Sequence, residues 1–336
     1  MNIKLYTDKD LDGVGCAVLI ELIEGNIKNN KVDTEFIDRT KVDSIVLNFL
    51  QNGGEHEKYD GMIITDMGVS LKTAQIMDDY FRNIVGDMEF FYLLLIDHHE
   101  QNLELNKFDW ASVIDIDEIK QSATNLVLHH YVPIIPSDVL NNLPHKLFKF
   151  VELVTKYDSW AWYTENNIEA YKLHLACGLF GLRHFTDYIK TNIMNKKDLL
   201  DLTINTIVEN KLKQEKFYID NKLKTIYKTL IHGFVAGVIY IDGFSEYNSI
   251  LGNRMCELNQ DIDIAFMINL SNSTVELRSI KTDLHLGKWA KRHFNGGGHD
   301  KAAGFPLPIT VLGDNFLNIS LNHMVAHINK LVINKK

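Results

Sequence analysis

The sequence lacks the features that mark secreted and membrane proteins. Its three cysteines are too few and too far apart for a disulfide framework or a cysteine-based zinc site, which favours a reducing compartment. No run of about 18 apolar residues occurs, so no membrane-spanning helix is expected. The chain opens without a basic and apolar leader, which argues against secretion. We therefore expect a cytoplasmic protein that spans no membrane.

Positive charge is also scarce. The chain has 35 Lys and Arg residues against 44 Asp and Glu residues, a net charge of −9. This balance argues against binding of long duplex nucleic acid through a broad basic face. One segment, 276–301, is richer in basic side chains than in acidic ones, and they are Arg278, Lys281, Lys288, Lys291, Arg292 and Lys301. A local patch of this size fits a small anionic substrate.

What the chain does contain is an alternation of strand-like and helix-like segments. Its 336 residues are enough for about two domains. The pattern predicts strands near 2–7, 33–37, 61–65, 90–96 and 110–116, separated by helices, and such alternation indicates an α/β fold with a doubly wound, mainly parallel sheet. We predict this first domain over 1–184, a helical linker over 185–230, and a smaller α/β domain over 231–336 that ends in a helix near 314–334.

Metal-type ligands follow three of the predicted strands. Asp97, His98 and His99 close the apolar run 90–96, the sequence DKDLDG at 8–13 follows the first strand, and Asp66 ends the strand 61–65. Open α/β sheets place their ligand sites at the carboxyl ends of the strands. Carboxylate oxygens mixed with imidazole suit a divalent ion such as Mn²⁺.

Taken in order, these segments resemble the motifs of the DHH phosphoesterases that carry a C-terminal DHHA1 domain. The motifs are DKDLDG at 8–13, Asp66, the triplet 97–99, Asp158 within KYDSW at 156–160, and NGGGHDKAAGF at 295–305. The first, third and last are specific, whereas the two single aspartates depend on order and context. The resemblance extends from residue 8 to residue 305, and it implies a metal-dependent phosphoesterase.

The resemblance also implies six ligands for two divalent ions: Asp8 and Asp10 for the first ion, Asp12, His98 and Asp158 for the second, and Asp66 as the bridge. Many family members have histidine where this chain has Asp8. With Asp8 in place of that histidine, this chain would hold the first ion through carboxylates alone, which leaves Mg²⁺ possible beside Mn²⁺. Two such ions would activate water for in-line attack on phosphorus. Asp97 would orient an imidazole, and His99 would face the substrate phosphate or the ions.

The substrate would be bound by the second domain. Gly296, Gly297 and Gly298 would let backbone N–H groups approach an anion, with His299 as a further donor. Arg278 matches an arginine that faces the substrate in the family. Trp160 and Trp162 flank the fourth motif and are expected to pack in the protein core rather than to stack on a base. The pair at 129–130, His-His, lacks ligand spacing and is expected to be structural.

The sequence thus favours an oligoribonuclease of the nano-RNase type, a two-metal phosphodiesterase that releases nucleoside monophosphates from oligonucleotides a few residues long. The alternatives are a phosphodiesterase for cyclic or linear signalling dinucleotides, a single-strand-specific DNA exonuclease of the RecJ type, and a non-enzymatic nucleotide-binding regulator on the same scaffold. The expected partner is a short single-stranded oligonucleotide or dinucleotide. The sequence leaves open whether the substrate is RNA or DNA, whether it is linear or cyclic, and whether it is cleaved from its 5′ or 3′ end. It also leaves open whether the protein forms a homo-oligomer.

Overall fold

A computed structural model describes residues 1–51, 58–84, 91–114, 121–241 and 247–307, together with Val325, Ala326 and Ile328. The chain forms two compact units, Met1–Glu209 and Asn210–Lys336. The domain limits that we place at 184 and 230 stay a prediction. Parts of the predicted strands 90–96 and 110–116, and most of the predicted helix 314–334, lie outside the described residues.

The N-terminal unit is built on a five-stranded sheet in which every pair of neighbouring strands is parallel. The spatial order is β2-β1-β3-β4-β5. The strands are β1 (Asn2–Asp8), β2 (Lys31–Ile37), β3 (Gly61–Thr65), β4 (Tyr92–Asp97) and β5 (Ala111–Val113). Because β2 lies on one side of β1 and β3 on the other, the chain order reverses at β1. The carboxyl ends of β1 and β3 therefore flank the switch point, where α/β sheets bind ligands.

Helices cover both faces of this sheet. They are α1 (Leu11–Ile20), continued by the π-helical segment Glu21–Ile27, then α2 (Val42–Gln51), α3 (Leu71–Ile84) and α4 (Ala123–Tyr131). Helices α2 and α3 pack their apolar sides into one core with Tyr6, Met62, Ile64 and Leu95 of the strands. Helix α1 contacts β1, α4 and a later helix, α6 (His145–Asp158), and is buried along its whole length. The predicted doubly wound, parallel α/β fold is confirmed.

The strands read as apolar runs because both faces are covered. All five residues of β3 are buried, which is the pattern of a central parallel strand rather than of a half-exposed one. The remaining helices of this unit are α5 (Ser137–Asn142), α6 (His145–Asp158), α7 (Ala161–Thr164), α8 (Ile168–Phe180) and α9 (Leu182–Met194), followed by α10 (Leu202–Leu223), which runs across the boundary between the two units.

The C-terminal unit has a six-stranded mixed sheet in the order β10-β11-β9-β8-β7-β6. Its strands are β6 (Tyr227–Ile231), β7 (Phe234–Ile241), β8 (Ile264–Asn269), β9 (Thr274–Arg278), β10 (Gly297–Gly298) and β11 (Ala302–Pro306), and its helices are α11 (Asn248–Leu258) and α12 (Leu286–Phe294). Strand β6 falls in the stretch whose periodicity predicts helix. It pairs with β7 through the two-residue turn His232-Gly233, where both residues have positive φ, as a tight hairpin requires.

In the part of the chain that the structure describes, no helix has the length and apolarity needed to cross a bilayer.

Candidate metal centre

The turn after β1 presents three carboxylates within five residues. Asp8 is the last residue of β1, and Asp10 caps α1 by accepting a hydrogen bond from the Gly13 amide at 2.9 Å. Asp12 lies in the first turn of α1 and is 1% exposed. A Cβ on Gly13 would overlap the carbonyl oxygen of Asp8. Glycine is therefore required for the helix to start this close to the strand end.

Asp66 follows β3 directly and has a left-handed backbone, with φ of 60°. Its amide donates to the carbonyl oxygen of Ile96 on β4 at 3.0 Å. Aspartate tolerates this conformation better than most residues, and such conformations cluster at functional sites. The side chain is 1% exposed, so its carboxylate is held inside the protein at the edge where β3 and β4 end.

At the end of β4, Asp97 is tied to His99 rather than to His98. The Nδ1 atom of His99 lies 2.7 Å from Asp97 Oδ1, and Asn102 Nδ2 donates to Asp97 Oδ2 at 2.5 Å. Burial acts to raise the pKa of Asp97, but the hydrogen bond and the charge of His99 outweigh it and lower that pKa. An ionised Asp97 fixes the orientation of the His99 ring and favours a proton on Nδ1.

Asp158 reaches the same place from a distant part of the sequence. It is the last residue of α6, and α6 packs against α1. The chain leaves the helix through Ser159 and Trp160, and Trp160 has a positive φ of 61°. This is an outlier for a bulky side chain, and it lies two residues from a carboxylate of the site.

The structure brings the predicted ligands together in groups whose donor atoms lie within 4.8 Å of one another: Asp8, Asp10 and Asp66; Asp12, His98 and Asp158; and Asp66, His98 and His99. His98, which belongs to two of these groups, has its Nε2 atom 3.4 Å from Asp66 Oδ1, 3.6 Å from Asp158 Oδ2 and 3.8 Å from Asp12 Oδ2. Their role as ligands stays a prediction. The first two groups coincide with the division between two ions that the resemblance implies, whereas the third adds His99, which was expected to face the substrate or the ions.

Two atoms of this cluster fit a cation in particular. Within the described residues, Asp66 Oδ2 and His98 Nε2 are buried and have no hydrogen-bond partner. Buried polar atoms are normally paired, because an unpaired one costs about 1–3 kcal/mol. A metal ion that accepts electron pairs from both atoms would remove this cost, so the donor set fits the divalent ion that the resemblance implies.

The electrostatics of the cluster also favour a cation. Burial, and then repulsion from Asp12, raises the pKa of Asp10 above its ordinary value and raises the pKa values of Asp66 and Asp158 well above theirs. Burial lowers the pKa of His98, which favours the neutral imidazole that binds metals. Binding of a cation would favour the ionised form of these carboxylates.

Asp12 is held by the start of another helix. Its two oxygens accept hydrogen bonds from the amides of Ala123, at 2.7 Å, and Thr124, at 2.9 Å, in the first turn of α4. Ser122 caps this helix by accepting a hydrogen bond from the Asn125 amide. The positive end of the helix stabilises the buried carboxylate while leaving lone pairs that can face a cation.

Sequence reasoning missed Arg39. Its Nε atom donates to Asp8 Oδ2 at 2.8 Å, and Nη2 donates to the same oxygen. Its Nη1 atom lies 3.0 Å from His99 Nε2. The signal that could have found it is its position two residues after β2, at the edge of the sheet where β1 also ends. A basic residue after a strand is too common to be singled out on that ground alone.

In the C-terminal unit, Arg278 ends β9 and is mostly buried, with 15% of its side chain exposed. Its Nη2 atom donates to Ser249 Oγ at 2.7 Å, and Nη1 donates to the Leu277 carbonyl oxygen at 2.8 Å. Ser249 therefore fixes the guanidinium. No pattern in the sequence points to this partner, which lies 29 residues earlier on α11.

The glycine-rich segment forms a hairpin rather than an open loop. Gly297 and Gly298 pair with β11, and Gly298 has φ of 136°, which side chains rarely adopt. The amides of Gly296 and His299 donate to the carbonyl oxygens of Ala290 and Ala302. These two N–H groups are thus used inside the protein, whereas the His299 side chain is exposed.

His130 and Trp162, which are expected to have structural roles, lie away from the metal-type cluster. His130, on α4, has its Nε2 atom 3.5 Å from the Tyr92 hydroxyl and belongs to none of the metal-type groups found among the described residues. Trp162 is 6% exposed and stacks on Tyr171 at 4.2 Å, so it packs in the core.

Comparison with known proteins indicates which family the chain resembles. No protein-family model matches the chain. Over 306 residues the chain is 27% identical to oligoribonuclease NrnB of Bacillus subtilis (strain 168), covering 89% of this chain and 71% of that protein. The chain resembles the DHH phosphoesterases of the oligoribonuclease type. The predicted enzyme class, a metal-dependent hydrolase of phosphoric esters, is confirmed.

Solved structures agree on the fold. A structure of exonuclease RecJ bound to manganese is similar with a TM-score of 0.52 and 14% identity, covering 100% of this chain and 91% of that one. RecJ from Thermus thermophilus in complex with Mn²⁺ has a TM-score of 0.51 and 14% identity, covering 100% of this chain and 52% of that one. At this identity the likeness shows the fold alone.

Proposed function

We propose that this phosphoesterase hydrolyses short oligonucleotides, of two to about five residues, to nucleoside monophosphates with the help of two Mn²⁺ or Mg²⁺ ions. The observation that carries the proposal is the position of His98 Nε2, which has no hydrogen-bond partner among the described residues and lies 3.4–3.8 Å from carboxylate oxygens of Asp12, Asp66 and Asp158. The likeness to an oligoribonuclease supports the substrate class.

The residues at the edge of the sheet divide into ligands and supports. Asp8, Asp10, Asp12, Asp66, His98 and Asp158 would hold the ions. Bound divalent ions supply Lewis-acid activation of water and offset the charge that develops on the phosphate. The left-handed backbone of Asp66 and the α4 amides on Asp12 hold these two carboxylates in place before any ligand arrives, so little movement of Asp12 and Asp66 is needed on binding.

His99 would act on the substrate side. Asp97 accepts from its Nδ1 atom, which leaves Nε2 directed away from Asp97. In this tautomer Nε2 accepts a hydrogen bond, and after protonation it can donate one to a phosphate oxygen. Asn102 holds the second oxygen of Asp97, so the aspartate keeps one orientation. Asp97 is thus a positioning residue for His99.

Arg278 and His299 would bind the substrate end. Arg278 is fixed by Ser249 and by the Leu277 carbonyl oxygen, which uses two of its five N–H donors and leaves others for a phosphate or a base edge. The exposed imidazole of His299 is free to add a contact. The short cationic segment around them suits a substrate with few phosphates.

The test is a substrate panel on chelator-treated protein with and without added Mn²⁺. The panel contains RNA and DNA oligomers from dinucleotides to about 24 nucleotides, cyclic di-AMP, pyrophosphate and 3′-phosphoadenosine 5′-phosphate, each compared by kcat/KM. We expect Mn²⁺-dependent hydrolysis of di- to pentanucleotides to exceed that of the long oligomers.

Other rankings would change the proposal. Preference for cyclic di-AMP would favour a signalling-dinucleotide phosphodiesterase, and preference for long DNA would favour a RecJ-type exonuclease. Full activity in excess chelator would contradict a metal-dependent reaction.

A further inference from the structure

The guanidinium of Arg39 lies across the first group of carboxylates. Arg39 opens a short 3-10 turn, Arg39–Lys41, which Asp38 caps after β2. Its Nε and Nη2 atoms both donate to Asp8 Oδ2, and Nη2 lies 3.8 Å from Asp10 Oδ2. Its Nη1 atom meets His99 Nε2 at 3.0 Å. One side chain thus contacts a predicted ligand of the first ion and the predicted substrate-facing histidine.

These contacts leave Asp8 satisfied. Oδ2 of Asp8 accepts two N–H groups from Arg39, and Oδ1 accepts the Lys9 amide at 2.8 Å. The aspartate is 6% exposed, so its charge is neutralised by Arg39 rather than by water. Asp66, in the same group, instead keeps one oxygen without a hydrogen-bond partner in the described part of the chain. The group therefore already contains one cation, and that cation belongs to the protein.

A divalent ion bound to Asp8 would have to share this carboxylate with the full positive charge of Arg39. Two positive charges a few Å apart in a buried setting repel strongly. The Arg39 side chain is 46% exposed, so solvent lies beside it and it has room to move. Asp8 has no such freedom, because it ends a central strand.

We propose that Arg39 and a divalent ion compete for Asp8, so that Arg39 sets the affinity of the first metal position and leaves the Asp8 carboxylate when that position fills. This inference rests on the proposed function only in taking Asp8, Asp10 and Asp66 as a cation site. Departure of Arg39 from Asp8 also frees His99 Nε2, because the same guanidinium covers both. Filling the first position and exposing the substrate-facing imidazole are then one event.

The competition has a direct test in metal binding without substrate. Mn²⁺ is titrated into chelator-treated protein and free Mn²⁺ is followed by electron paramagnetic resonance, for the wild type, Arg39→Gln, Arg39→Lys and Lys41→Gln. Lys41→Gln is the matched control, since it removes a positive charge from the same turn at an exposed side chain.

We expect Arg39→Gln to tighten the weaker class of Mn²⁺ sites by about tenfold or more, because a charge-assisted contact to Asp8 is removed. Lys41→Gln should change affinity by less than about twofold, since an exposed charge is screened. Arg39→Lys keeps the charge but loses the guanidinium fork that contacts both Asp8 and His99, so its affinity should fall between those of the wild type and Arg39→Gln.

A second measurement is made on the wild type and uses a variant only to assign a resonance, so the variant need not be active. In the wild type, the Nε–H resonance of Arg39, assigned by its loss in Arg39→Gln, should be protected from exchange in metal-free protein and lose that protection when diamagnetic Mg²⁺ is added. This readout holds even if Arg39→Gln weakens folding, because Arg39→Lys can supply the assignment.

The outcomes separate the inference from the proposed function. Tight Mn²⁺ binding that Arg39→Gln leaves unchanged or weakens would overturn the competition while leaving the metal site standing, and a rise in KM for a dinucleotide in that case would make Arg39 a substrate contact. Absence of Mn²⁺ binding in the folded wild type and in every variant would overturn the metal-dependent function and this inference together.

Discussion

Buried carboxylates at two places in the N-terminal unit differ in how fully their oxygens are paired. Glu21, 6% exposed, accepts hydrogen bonds from Arg183 at 2.6 and 3.0 Å, from Lys190, and from Thr34 at 2.6 Å. Asp66, 1% exposed, keeps an oxygen without a partner among the described residues. The chain thus pairs Glu21 with fixed cations, whereas in the metal-type cluster the cation Arg39 contacts Asp8 and leaves this Asp66 oxygen unpaired among the described residues.

The pKa values of Glu21 and Asp66 are shifted in opposite directions. Burial acts to raise the pKa of Glu21, but the hydrogen bonds from Arg183, Lys190 and Thr34 outweigh it and lower that pKa. At Asp66, burial and the neighbouring carboxylates both raise the pKa, well above its ordinary value. A buried carboxylate that is fully paired indicates a structural role, whereas a cluster left short of positive charge indicates a place for an exchangeable cation.

The largest expected effect comes from Asp66→Asn. It should lower kcat/KM on a dinucleotide by on the order of 10³-fold or more, because the side chain faces both groups of ligands. The matched histidine pair is His98→Asn, expected to fall similarly, and His130→Asn, expected to stay within about twofold. Steady-state kinetics in saturating Mn²⁺ check this. Equal behaviour of the two histidine variants would show that it is wrong to assign His98 as a ligand and His130 as a residue outside the site.

Asp66→Asn should also stabilise the metal-free protein. Because the pKa of Asp66 is raised in the folded state, metal-free wild type loses stability as pH rises above the unfolded value of about 3.9. The variant lacks this loss, so its advantage in urea unfolding should be absent at low pH and grow towards neutral pH. A variant less stable than the wild type at neutral pH would contradict the idea of an uncompensated cluster.

A smaller effect is expected from Asp97→Asn, which keeps the shape of the side chain but weakens its hold on His99. Activity should fall by about 10–100-fold, as for other residues that orient a functional histidine. Unchanged kcat/KM would show that His99 needs no orientation by Asp97.

Much of this site could be predicted because local rules apply. Parallel strands end at one edge, so residues 8–13, Asp66 and the triplet 97–99 had to converge there. Asp158 was found only through the resemblance, since no local rule brings the end of a distant helix to that edge. The pairing of Glu21 with Arg183, 162 residues apart, was not predictable, because nothing in either local sequence refers to the other.

The same reasoning explains the elements that were missed. Most of β6 lies at the end of the stretch 185–230, whose sequence pattern is helical. Only the pairing of β6 with β7 makes residues 227–231 a strand. The glycine-rich segment was expected to offer backbone amides to an anion, but pairing with β11 and with α12 uses those of Gly296 and His299. Tertiary contacts decided both cases, as they often do for short segments.

Glu21→Gln tests the structural half of the comparison. Gln keeps the shape but leaves Arg183 and Lys190 without a charge partner, so the free energy of unfolding at about pH 7 should fall by roughly 1–3 kcal/mol. Because the pKa of Glu21 is lowered in the folded protein, this contribution is present above the unfolded value of about 4.3 and is lost as pH falls through the folded value. Urea unfolding at several pH values measures it.

Activity is the control for Glu21→Gln. Well below its melting temperature the variant should keep the kcat/KM of the wild type within about twofold, since Glu21 belongs to none of the metal-type groups found in the described ranges. A large loss of activity without loss of stability would show that the two sets of carboxylates are not separate in function.

The smallest expected effect concerns the C-terminal unit, which carries none of the proposed ligands. His299→Ala should raise KM for a dinucleotide by about three- to tenfold, the size of one exposed hydrogen bond, while Mn²⁺ binding stays unchanged. Ser249→Ala should act in the same direction by releasing Arg278, without changing any charge. A generic ester such as bis-p-nitrophenyl phosphate should depend less on both residues, because it lacks the terminal nucleotide that they would bind. Kinetics on the two substrates, run in parallel for each variant, decide the matter. Equal losses on both, or loss of bound Mn²⁺ in His299→Ala, would mean that this unit supports the metal cluster rather than the substrate.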